Sequence, residues 1–221
     1  MKEGVLVINK PKGMTSHDVV QIIRRKFGIR RVGHAGTLDP MATGVLVLLV
    51  GKSTQLFNRF VNFEKTYKAT LRLGLKTDTA DIQGKIVREA EYQHLPLERI
   101  RKIFSEFSGE IDQIPPMVSA VKWKGKRLYE LARAGTVVER QPRKVNIKSL
   151  TIEETALPDV KFYLECSKGT YVRQLAEDIG ERLGCGACIT EIQRTAVGPF
   201  TLKEAVSLED AHVDHIRHWE K

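Results

Sequence analysis

The chain has 221 residues, 42% hydrophobic and 29% charged, a composition that excludes a disordered or collagenous polypeptide and suits one large domain or two small ones. Its longest purely apolar run, residues 45–50, falls far short of the roughly 20 residues a membrane-spanning helix needs. The apolar stretch between the first lysines is too brief for a signal peptide, so the expected compartment is the cytoplasm.

Residues 4–9 read as a buried strand, and Pro11-Lys12-Gly13 as a turn. Thr15 or Ser16 then offers a hydroxyl to the free N–H groups of a helical first turn. Val19, Val20, Ile22, Ile23 and Phe27 follow at helical spacing, and Gly28 supplies the stop. Residues 33–44 form a loop rich in glycine, 45–50 a second buried strand, and 52–63 a helix. In residues 66–73, Tyr67, Ala69, Leu71 and Leu73 alternate with Thr66, Lys68, Thr70 and Arg72, the pattern of a half-buried strand. Residues 77–84 are polar loop. A helix over 97–107 carries Ile100, Ile103, Phe104 and Phe107 on one face.

Pro115-Pro116 breaks the chain, and residues 117–144 read as a basic surface insertion with one short helix near 128–134. Residues 145–152 and 160–166 read as paired strands, 170–183 as a helix and 189–197 as a final strand. There is no repeat and no steady alternation of strand and helix. The expected fold class is therefore α+β rather than a doubly wound parallel sheet.

Cys166, Cys185 and Cys188 are too few, and odd in number, for a disulfide framework. Cys185 and Cys188 form a lone C-x-x-C. His212, His215 and His218 lie in a polar tail, so ordinary reduced thiols are expected and no metal site.

Thirty-six Lys and Arg stand against twenty-seven Asp and Glu, a net charge of +9. Such an excess favours a polyanion through release of its condensed counterions. The bases cluster at Arg24, Arg25, Lys26, Arg30 and Arg31, at Lys122, Lys124, Lys126 and Arg127, and at Arg140, Arg143 and Lys144. Any one cluster reads as a solvated face; together they make nucleic acid the leading partner class.

The most informative stretch is Gly33-His34-Ala35-Gly36-Thr37-Leu38-Asp39-Pro40-Met41-Ala42-Thr43-Gly44. It places a carboxylate in a glycine-rich loop, with Pro40 restricting Asp39 to extended geometry. On pattern alone Asp39 fits a tight turn, accepting from nearby N–H groups. By the same measure Tyr67 fits a core aromatic, Arg173 a surface arginine, Tyr171 and Ile192 core residues, and His34 a structural imidazole.

The stretch GHAGTLDPMATG closely resembles the signature G-H-x-G-x-L-D-P-x-A-x-G of the TruB-type bacterial tRNA pseudouridine-55 synthases. Further segments match in order: NKPKGMTSHD, KTYKATLRLGLKTDTADIQG, IPPMVSAVKWKGKRLYELAR, and CSKGTYVR followed by LGCGA. The resemblance covers nearly the whole chain. It implies the pseudouridine synthase fold, a mixed, largely antiparallel sheet flanked by helices, and isomerisation of the T-loop uridine at position 55 of tRNA, bound through the T-arm stem-loop by a protein expected to be a monomer. The uracil is detached from its ribose, rotated and rejoined through carbon, and no cofactor is required.

The resemblance also implies roles. Asp39 matches the essential aspartate, Tyr67 the tyrosine that packs on the target base, and Arg173 the arginine paired with the aspartate. Tyr171 and Ile192 match residues lining the uracil pocket, and His34 the histidine that holds the uridine out of its loop. Asp81 matches an acidic residue near the RNA side of the pocket. Lys10, Lys12 and the insertion with Lys122, Lys124 and Lys126 resemble RNA-backbone contacts. Residues 1–221 are expected to be one catalytic domain, 117–144 its RNA-contacting insertion, without the family's usual separate C-terminal RNA-binding domain. Two rivals are the catalytic subunit of a guide-RNA pseudouridylation particle and a non-catalytic RNA-binding or RNA-folding module. The TDTAD segment argues against the first, and the intact Asp39, Tyr67 and Arg173 set against the second.

Overall fold

A computed structural model describes residues 2–119 and 121–219. In chain order the elements are β1 (Gly4–Lys10), α1 (Ser16–Phe27), β2 (Val32–His34), β3 (Thr43–Val50), a 3-10 helix (Gly51–Leu56), α2 (Phe57–Val61), β4 (Lys65–Leu73), β5 (Leu75–Thr77), β6 (Ile86–Glu89), α3 (Leu97–Glu106), β7 (Gly109–Gln113), β8 (Lys122–Trp123), β9 (Lys126–Arg127), α4 (Leu128–Arg133), β10 (Arg143–Ala156), β11 (Asp159–Cys166), α5 (Val172–Leu183), β12 (Ala187–Val197) and β13 (Phe200–Thr201). They divide into two compact units, one of Met1–Lys68 with Glu191–Lys221, the other of Ala69–Thr190.

In the first unit β3 pairs antiparallel with β1 along its whole length, Gly4 opposite Val50 and Lys10 opposite Gly44. Its other edge takes β2, antiparallel, and β12, parallel, with Arg194 opposite Gly44. The sheet is thus mixed. Thr15 caps α1 and closes a reciprocal box with Asp18, while Gly28 ends the helix in the left-handed region at φ 66°. Each device satisfies backbone groups that a helix end leaves open. The core joins Val5, Val7, Val45, Val47 and Leu49 to Phe60 and Phe200. Phe60 stacks on Phe200 at 5.7 Å between centroids and meets Trp219 edge-on at 5.2 Å.

In the second unit the order is β12, β4, β11, β10, β7, with β10 antiparallel to both β11 and β7. The apolar face of α3 (Ile100, Ile103, Phe104) is buried. Phe104 meets Phe162 edge-on at 5.8 Å.

The structure departs from the sequence reading at several elements, among them β2, which takes residues 33 and 34 out of the expected loop. The helix expected over 52–63 is a 3-10 turn followed by a short α2. Only Phe60 of α2 is buried, and the Thr54 hydroxyl donates to the Gly51 carbonyl at 3.0 Å, a local bond that competes with regular helix. β6 and β7 were not foreseen. The four β6 residues are all exposed and β7 is mostly polar, so neither alternates in hydropathy. The insertion also holds a β8–β9 hairpin whose turn residues, Lys124 (φ 46°) and Gly125 (φ 86°), are both left-handed. Lys-Gly is an uncommon pair for such a turn.

Candidate active site

In the first unit the loop after β2 carries Asp39, and buried side chains fix its backbone. Ser16, the first residue of α1, donates its hydroxyl to the Leu38 carbonyl at 3.1 Å and accepts the Leu38 N–H at 2.8 Å. The Gly13 N–H reaches the Pro40 carbonyl at 2.7 Å, and the Ala42 N–H turns back to the Asp39 carbonyl at 3.1 Å. Arg194, on β12 and 1% exposed, spreads its guanidinium over the carbonyls of Val45 (2.8 Å), Gly36 (3.1 Å) and Thr37 (3.2 Å). Gly44 has to be glycine for this approach. Its φ is 103°, and a Cβ there would run into the Arg194 backbone.

Lys10 corrects an expectation. It is fully buried, and its ammonium donates to the carbonyls of Pro11 (2.8 Å), Met14 (2.7 Å) and Pro40 (3.3 Å). It therefore has no surface to offer an RNA phosphate. The sequence shows a lysine beside a turn; the carbonyls of that turn and of Pro40 converge on its ammonium. Burial pushes its pKa down to about 8, with Arg194 adding to the depression while the Asp39 carboxylate pulls the other way. Lys12, by contrast, is exposed.

The Lys10 shift has a sign that can be measured. Its folded pKa of about 8 lies below the ordinary 10.5. Between those values the unfolded chain binds more protons, so the Lys10 contribution to stability rises with pH. Lys10→Met should flatten that rise in urea midpoints taken at about pH 7.5 and about pH 9.5. An unchanged rise would show that Lys10 does not titrate there.

His34 ends β2, half-buried. Burial first, then the charges of Arg194 and His17, lower its pKa, so the imidazole is neutral at pH 7. Tyr67 lies on the buried face of β4 at 7% exposure, as does Ile192 on β12.

In the second unit Arg173 is buried at the start of α5. One guanidinium nitrogen lies 2.7 Å from the Thr79 carbonyl and 3.3 Å from Asp81 Oδ2; the other donates to the Val118 carbonyl at 3.1 Å. Asp81 Oδ1 accepts from the Thr79 hydroxyl (2.9 Å) and the Gln83 N–H (3.0 Å). A buried charge pair is tolerated when its remaining lone pairs and protons are satisfied. Asp81 and Arg173 meet that condition, so the TDTAD loop acts as the floor for Arg173. Tyr171 is half-buried, its backbone held by Gln113. Lys122, Lys124 and Lys126 stand exposed on the β8–β9 hairpin, and the Lys124 ammonium sits 4.7 Å from the centre of the Trp123 ring.

Sequence reasoning missed Arg194 and Gln113 and read Ser16 only as a possible helix cap. Arg194 carried a weak signal, the one basic residue of its strand; Gln113 carried none. Cys166, Cys185 and Cys188 are buried thiols, and burial pushes that of Cys188 up to about 11.

Comparison with known proteins now adds to this geometry. Residues 24–172 match the model of the TruB family pseudouridylate synthase N-terminal domain. Residues 173–219, placed above in one catalytic domain, match that of the tRNA pseudouridylate synthase B C-terminal domain. A protein of Clostridium tetani named tRNA pseudouridine synthase B is 47% identical over 97% of this chain and 74% of its own length. One of the same name from Geobacter sulfurreducens is 49% identical over 94% of this chain and 68% of its own. Among solved structures, a chain of a Cbf5-Nop10-Gar1 complex superposes with a TM-score of 0.74 at 32% identity, over 96% of this chain and 54% of that one. With its Asp39 loop, its mixed sheet and these matches, the chain belongs to the TruB family of pseudouridylate synthases.

Proposed function

We propose that the protein converts the uridine at position 55 in the T loop of tRNA into pseudouridine, with Asp39, Tyr67 and Arg173 as its catalytic residues. The observation that carries this reading is the over-determined loop around Asp39. Side chains from α1, β1 and β12 grip its backbone at residues 36, 37, 38 and 40, the preorganisation a reacting carboxylate needs. The bond from ribose C1′ to uracil N1 breaks, the base rotates, and a bond from C1′ to C5 forms. The C5 proton leaves and N1 gains one, so atoms and electrons balance within the nucleotide. Asp39 serves as nucleophile or base.

Such chemistry requires the base outside its stack. His34 helps hold the uridine out of its loop. Tyr67 packs on the uracil, and Tyr171 and Ile192 line its pocket. Arg173 is the arginine of the catalytic set, and Asp81 holds it. Lys12 and the β8–β9 hairpin meet phosphates. The curated relatives named tRNA pseudouridine synthase B, 47% and 49% identical to this chain, favour tRNA as the substrate.

Pseudouridine mapping after incubation with tRNA and with an isolated T-arm stem-loop tests the reading. Both should be modified in the T loop, and an unmodified T loop in both substrates removes the proposal. Replacing Lys122, Lys124 and Lys126 together with Ala should flatten the plot of log affinity against log salt by about 0.7–0.9 for each phosphate that is no longer neutralised. The single-turnover rate at saturating RNA should stay within about two-fold of wild type, because phosphate contacts position RNA without entering the chemistry. An unaltered salt slope would place the phosphate contacts elsewhere.

A further inference from the structure

Gln113 is the last residue of β7, and its register partner on β10 is Arg143, that strand's first residue. These two positions are where the chain leaves the sheet for the basic insertion and where it returns. Just beyond, Arg140 donates to the Pro115 carbonyl at 3.1 Å and closes the neck of the insertion.

Gln113 is 2% exposed, and its carboxamide makes a two-point clasp on the backbone of Tyr171. The Tyr171 N–H donates to Oε1 at 2.8 Å, and Nε2 donates to the Tyr171 carbonyl at 3.1 Å. A neighbouring strand holds an extended residue in the same way. Tyr171 is extended, at φ −99° and ψ 107°, and is the cap position of α5, where its own side chain makes no capping bond. The orientation of the first turn of α5 is therefore set from outside the helix, by Gln113. The Val118 carbonyl, inside the insertion, meets Arg173 in that same turn.

We propose that Gln113 is a positioning residue for the reaction: it fixes the Tyr171 backbone to the root of the insertion, so that the base-lining tyrosine and the RNA-contacting segment share one anchor. This rests on the reading that Tyr171 lines the uracil pocket. The side chain is suited to the task because one planar group of the right length presents a donor and an acceptor together. An ionised glutamate presents acceptors only and sets an anion against the Tyr171 carbonyl. Leucine presents neither, and asparagine is a methylene too short.

The test uses the full chain and a T-arm stem-loop. Single-turnover rates at saturating RNA, and RNA affinities, are measured for wild type, Gln113→Leu and Gln113→Glu. The series runs from about pH 5.5 to about pH 8, with the folded fraction checked by denaturation. Gln113→Leu should lose about 10–100-fold in rate, the scale of a roughly 1 Å misplacement, with affinity within about two-fold. Gln113→Glu should be slow at the alkaline end. It should recover toward wild type as the pH falls, because a protonated carboxyl restores the donor and acceptor pair. A purely structural glutamine would move the denaturation midpoint but not the rate of the folded protein. A Leu variant within about two-fold of wild type, or a Glu deficit that does not change with pH, overturns the proposal. If the Leu variant does not fold, the pH dependence of the Glu-to-wild-type ratio decides alone. Wild type leaving the T loop unmodified would refute the underlying reading, and the positioning role with it. That outcome is distinct from an active wild type with indifferent variants.

Discussion

Asp39→Asn is expected to lower turnover by about 10⁴-fold or more, the scale seen when an essential nucleophile is removed, with RNA binding within a few-fold of wild type. The substitution keeps the shape of the side chain and deletes its charge. The loop should survive it, because Ser16, Gly13 and Arg194 grip the backbone of neighbouring residues. What goes is the group that forms the covalent bond or takes the proton. A second consequence is readable at the same site. The Asp39 carboxylate holds the Lys10 pKa up against burial, so in the Asn variant Lys10 should titrate below about 8. Single-turnover assays and filter binding on one stem-loop separate chemistry from affinity. Turnover within about ten-fold of wild type would remove Asp39 from the reaction path.

Arg194→Met should be costly to stability and rate together. It leaves the carbonyls of Gly36, Thr37 and Val45 without the donor that the buried guanidinium supplies, Val45 in a fully buried strand. A loss of about 3–5 kcal/mol in denaturant unfolding is expected. In the folded fraction the rate should fall about 100-fold, because the Asp39 loop loses its downstream support. Arg194 also depresses the pKa of both Lys10 and His34. Both groups should therefore titrate at higher pH in the variant, His34 by NMR and Lys10 through the pH dependence of stability. Arg194→Lys keeps a charge but not the fork that spans three acceptors, and should fall between. A Met variant as stable as wild type would mean that water replaces the guanidinium without loss.

Much of the fold was legible because burial writes a period into the sequence. β4 alternates, α3 repeats its apolar residues at helical spacing, and Thr15 and Gly28 punctuate α1. Where no burial pattern exists, as in exposed β6 and polar β7, nothing was there to read. The site shows the same division. The Asp39 loop stood out through its composition and its resemblance to a family. Ser16 and Arg194 hold that loop, and Gln113 holds Tyr171, through bonds to backbone carbonyls and N–H groups, and a backbone partner leaves no trace in the identity of its residue. Lys10 was misplaced for a related reason, since a lysine in a turn looks the same whether water or a folded loop surrounds it.

The parallel pairing of β3 with β12 bears on how the molecule is made. Arg194 Nε finds the Val45 carbonyl across 149 positions of sequence. On the ribosome, at roughly 5–20 residues per second, the aspartate loop would exist for about 7–30 s before the strand carrying that arginine is synthesised. Pairings so distant in sequence also form slowly, since loop closure must precede them. The nascent chain thus holds its Asp39 loop in an unfinished setting until β12 emerges, and the loop gains its full set of backbone partners only once that strand has paired.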